Sequence, residues 1–204
     1  MNTRDNSALH WRTLVRRHPS AFLLAAQLVS LVLYAAFDDL AHGNALLGAC
    51  GVLVLALTIW VVSRSPAIVW IAWVLALPAF VLSLLSSLDF APALLFWSSM
   101  FEAALYFYAA GSLIAYMMGD YQVTVDELFA AGATFTLIAW GFAYMYLVCQ
   151  LWLPESFIGG SRPGQPRTFL ELLFLSFTTL TATGSGDILP MGSAARALVM
   201  LEQF

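Results

Sequence analysis

Apolar and polar positions alternate along this chain in long blocks, with neither the two-residue period of a strand nor a narrow helical stripe. Apolar blocks cover residues 21–37, 45–63, 67–88, 91–118 and 128–153. Each is close to the roughly 17–25 residues that a helix needs to cross a bilayer. Short polar connectors separate them. Ser65 and Pro66 supply an N-cap and first helical residue for the third block, and Pro78 lies in its middle, where it predicts a kink. Thr124 and Glu127 have capping-box spacing ahead of the fifth.

A sixth block differs. Residues 168–190 read TFLELLFLSFTTLTATGSGDILP. Thr168 and Glu171 form a second capping box. The apolar run behind them is about 12 residues long, roughly 18 Å of helix. That is half a bilayer, so the segment enters without crossing. It ends in Thr181, Ala182, Thr183, Gly184, Ser185, Gly186 and Asp187. Irregular backbone at membrane depth is tolerated only where protein or a watery cavity surrounds it. Gly184 and Gly186 permit positive φ. Alternating handedness turns successive carbonyl oxygens to one side, and a ring of such oxygens replaces the hydration shell of a monovalent cation.

SFTTLTATGSGDILP, residues 176–190, resembles the pore signature of the potassium channel superfamily, T-V-G-Y-G followed by D. The resemblance covers about 40 residues strongly, from Phe169 onward, and places the filter on Ala182, Thr183, Gly184, Ser185 and Gly186. It implies carbonyl ligands from Thr181 to Gly186, with Asp187 as a ring of negative charge at the outer mouth. Pro190 matches a proline common in the family. Two positions depart from the pattern: Ala182 stands for the deepest threonine and Ser185 for the tyrosine. A cation pathway follows from the resemblance more firmly than strict preference for potassium over sodium. One filter segment per chain implies a homotetramer.

Composition agrees. Hydrophobic residues make up 61% and charged residues 10%, with mean hydropathy +0.84. That composition makes the chain an integral membrane protein, and the resemblance implies its all-α plan: five spans, a re-entrant pore helix and filter, and the start of a sixth, inner helix. Residues 1–20 form a cytoplasmic tail, 21–118 a four-helix transmembrane region, and 119–204 the pore module. Arg4, Arg12, Arg16, Arg17 and Arg64 fall on the cytoplasmic side and Arg162 and Arg167 outside, which sets the N-terminus inside. The expected location is a plasma membrane of bacterial type. The formal charge of −4 changes little, and no basic patch suggests nucleic acid. Cys50 and Cys149 fit buried thiols. Trp60, Trp70, Trp73, Trp97 and Trp152 near span ends fit interface anchors, and Trp140 fits packing.

The fourth block has no arginine ladder and carries Glu102, which argues against voltage sensing and calls for a buried hydrogen-bond partner. Residues 192–204 are shorter than a crossing helix, so a fragment lacking the inner-helix gate is one expectation. A non-conducting or regulatory pore-fold subunit is the runner-up to a channel. An enzyme ranks last, since His10, His18 and His42 have no partner spacing, and no cofactor is expected beyond permeant potassium or sodium.

Overall fold

The computed structural model describes residues 19–37, 56–58, 60, 69–87, 92–119, 124–160 and 164–204. It is predominantly helical. In chain order the elements are α1 (Pro19–Phe37), α2 (Val69–Ser87), α3 (Pro92–Met117), α4 (Val125–Trp152), β1 (Phe157–Gly159), α5 (Phe169–Leu180), β2 (Ile188–Pro190) and α6 (Ser193–Gln203). Among the described residues, three helices are long and apolar enough to cross a membrane: Pro19–Ala36, Ala93–Met117 and Val125–Trp152. Trp70–Ser86 is a shorter apolar helix. Most of the second apolar block, with Cys50 and the Ser65–Pro66 start signal, lies outside the described residues.

α4 is the hub. It packs most extensively on α3 and also carries α1, α5 and α6, while α2 packs on α3. Small side chains bring the helices close: Ala103, Ala109 and Ala110 on α3, and Ala130, Ala133, Ala139 and Ala143 on α4, are buried. Trp140 is fully buried. It joins a ring cluster with Tyr34 of α1, Tyr106 of α3, Tyr144 of α4 and Phe169, the first residue of α5. The Tyr144 and Phe169 centroids are 4.5 Å apart. Trp70, Trp73, Trp97 and Trp152 are exposed, as anchors at an apolar–polar boundary would be.

Buried acids tie the helices crosswise, each to one serine and one tyrosine. Glu102 on α3 bonds Ser83 of α2 and Tyr144 of α4. Asp126, in the first turn of α4, accepts from the Ser20 amide at 3.2 Å and hydroxyl at 3.0 Å, and from Tyr116 at 3.4 Å. Ser20 is the second residue of α1, so Asp126 satisfies a helix-start amide from another helix. A buried acid is costly unless it finds such partners.

Candidate pore segment

Both capping boxes form. The Thr124 side chain accepts from the Glu127 amide while Glu127 accepts from the Thr124 amide. Thr168 and Glu171 do the same ahead of α5, with distances of 3.2 and 2.8 Å. The sequence therefore starts α5 where its spacing predicts. Leu172, Leu173 and Ser176 are fully buried, and Leu175, Thr178 and Thr179 nearly so. This seats the helix against α4.

The approach to α5 is pinned. The Gln150 amide group, near the end of α4, pairs with the Arg167 backbone: the Arg167 amide donates to Oε1 at 2.8 Å and Nε2 donates to the carbonyl at 3.0 Å. The Arg167 guanidinium donates to the Gly159 and Gln165 carbonyls. Arg167, expected as an outer loop charge, is thus buried, 4% exposed, as a loop organiser. A cavity of about 870 Å³ opens beside it, lined by Gln150, Glu155, Phe157 and Arg167 among others.

α5 ends at Leu180, and the chain turns over its last carbonyls. The Thr181 amide donates to Phe177 O and the Ala182 amide to Thr179 O. Thr183 and Gly184 amides both donate to Thr178 O, at 3.1 and 3.4 Å. Thr181 and Thr183 hydroxyls lie 3.1 Å apart. Ala182 has φ 54° and Gly184 φ 59°, both left-handed, whereas Thr183 between them does not. Gly184 adopts this freely; Ala182 is strained, since an L-residue loses about 1–2 kcal/mol there. Gly186 is not left-handed. Residues 181–185 and Asp187 are exposed and Gly186 half-buried, so their own chain does not cover them.

After the turn, β2 pairs antiparallel with β1, with Phe157 opposite Pro190 and Gly159 opposite Ile188. The Gly160 amide donates to Asp187 O at 3.2 Å. This two-stranded pairing, closed across α5, fixes where the turn ends. α6 then packs back on α4 and α5.

The structure brings Thr181 to Asp187 together at one tip. Sequence reasoning passed over a second group: Glu202 of α6 accepts from the Tyr146 hydroxyl of α4 and pairs with the Ser176 hydroxyl of α5. The available signal was an acid placed directly after the apolar stretch Ala197–Leu201. Cys149 is a buried free thiol. Among the described residues no cluster of three or more His, Cys, Asp or Glu could hold a metal ion. No protein family, curated protein or solved structure matches the chain.

Proposed function

We propose that this chain is one subunit of a homotetrameric membrane channel for monovalent cations, with residues 181–186 as its ion filter. Five spans, a re-entrant α5 and an α6 that begins the inner helix belong to this reading. One observation carries it. A capped helix of half-bilayer length ends in a turn whose backbone alternates left-handed, not left-handed, left-handed at Ala182, Thr183 and Gly184, uncovered by its own chain. Such alternation is how consecutive carbonyls are aimed to one side, and four copies of the turn would supply a ring of oxygens. The carbonyl end of α5 adds partial negative charge behind it. Asp187, exposed beside the turn, would concentrate cations at the mouth. Potassium is the favoured ion; Ala182 and Ser185 reduce discrimination against sodium.

A non-conducting pore-fold subunit is the second reading. It is favoured by Gly186, where the alternation stops, and by Ala182, which brings no hydroxyl. Liposome-reconstituted full-length chain, recorded with potassium or sodium as sole cation, separates the two. Current from an assembled tetramer, abolished by Gly184→Pro, is expected; an assembled tetramer that passes neither ion refutes the channel.

A further inference from the structure

Glu202 is 5% exposed on α6, and both carboxyl oxygens are used. Oε2 accepts from Tyr146 of α4, and Oε1 pairs with Ser176 of α5. Ser176 Oγ also lies 2.9 Å from Ala139 O of α4. Tyr146 is bonded in turn to the Thr179 side chain of α5. One acid therefore joins three helices at the final turns of α5. Thr178 and Thr179, in those turns, hold the filter segment by its amides: Ala182 to Thr179 O, Thr183 and Gly184 to Thr178 O.

Proton counting says how the joint is made. A serine hydroxyl has one proton, and a carbonyl oxygen only accepts. When Ser176 donates to Ala139 O, the carboxyl must donate to Ser176 and is neutral. When Ser176 donates to Glu202, the carboxylate accepts two hydroxyl protons. A glutamine side chain reproduces the first pattern: its amide donates to Ser176 and its oxygen accepts from Tyr146. An alanine reproduces neither, and leaves both hydroxyls buried without the partner.

We infer that Glu202 is a positioning residue for residues 182–184: it locks α5 against α4 and α6, so that a displacement of α6 reaches the filter amides through Ser176 and Thr179. The joint itself stands on these contacts; its consequence for ion passage rests on the channel reading.

Hydrogen exchange of the full-length chain in lipid nanodiscs tests it, comparing wild type, Glu202→Gln, Glu202→Ala and, as a control on the exposed face of α6, Met200→Ala. In Glu202→Ala, exchange over 182–184 rises about tenfold while the first turns of α4 are unchanged, as expected for a local opening. Glu202→Gln and Met200→Ala match wild type. If Glu202→Ala does not assemble, Ser176→Ala and Tyr146→Phe, which each remove one arm, show a smaller rise confined to the same amides. Unchanged exchange at 182–184, a rise spread evenly along the chain, or Glu202→Gln behaving like alanine overturns the inference. Reversal potentials read the other layer: in a conducting channel Glu202→Ala shifts the potassium–sodium preference and Glu202→Gln does not. A wild type without current refutes the channel reading alone and leaves the exchange result to decide this one.

Discussion

Gly159 and Gly164 make a matched pair for testing whether the β1–β2 pairing holds the turn that follows α5. Both have positive φ, 97° and 78°. An alanine at either meets a similar backbone penalty, about 1–2 kcal/mol. Their surroundings differ. A methyl group at Gly164 meets nothing within 4 Å, whereas one at Gly159 overlaps the Asp187 carbonyl oxygen and lies 3.0 Å from the carbonyl carbon. That obstacle is backbone, not the end of a flexible side chain. β1 must move away from β2, which breaks the Gly160–Asp187 bond and disturbs the neighbouring ladder. Each lost hydrogen bond costs about 0.5–1.5 kcal/mol. Gly159→Ala should therefore cost roughly 2–4 kcal/mol against about 1–2 for Gly164→Ala. Denaturant unfolding of the detergent-solubilised chain measures both, and exchange at residues 187–190 localises the damage. Equal losses in the two variants, or no loosening of β2 in Gly159→Ala, would refute the reasoning.

Three further outcomes follow. Thr168→Ala removes the cap of α5 and costs about 1 kcal/mol of stability, while Thr168→Ser, which keeps the hydroxyl, stays within a few tenths; unfolding curves compare them. Tyr144→Phe strips one donor from buried Glu102 and costs about 1–3 kcal/mol; a loss no greater than at an exposed α3 position such as Ile114→Ala would count against a paired Glu102. Under the channel reading, Asp187→Asn lowers single-channel conductance about twofold in dilute salt, and the difference vanishes near 1 M, where screening shortens the field to about 3 Å. Conductance that is equal at all salt concentrations removes Asp187 from the mouth.

The elements were legible where local chemistry decides them. Thr124–Glu127 and Thr168–Glu171 carry their own start signals, and both boxes close. Long apolar runs marked α1, α3 and α4, and the helices begin or end within about three residues of the expected limits, the usual uncertainty of helix ends. Trp140 was read as packing and is fully buried. What stayed hidden was the inward face. α4 is apolar all round, because lipid and protein interior make similar demands, so no period reveals the side carrying Ala133, Trp140 and Tyr144. Arg167 was read by charge and lies buried among carbonyls that only the folded loop assembles. Glu202 escaped for a related cause: Tyr146 and Ser176 are distant in sequence, and nothing local announces their meeting.

The crosswise acid ties also impose a timetable on biogenesis. Asp126 and Glu202 are made after their partners among the described residues, so each can be satisfied on arrival. Glu102 is not: Ser83 precedes it, but Tyr144 is translated later. Until α4 emerges from the ribosome, α3 would carry its carboxyl with one bond fewer, near the roughly 2.5–3.5 kcal/mol burden of an acid at mid-membrane. α3 and α4 would thus be delivered to the bilayer together, as a hairpin, rather than one after the other.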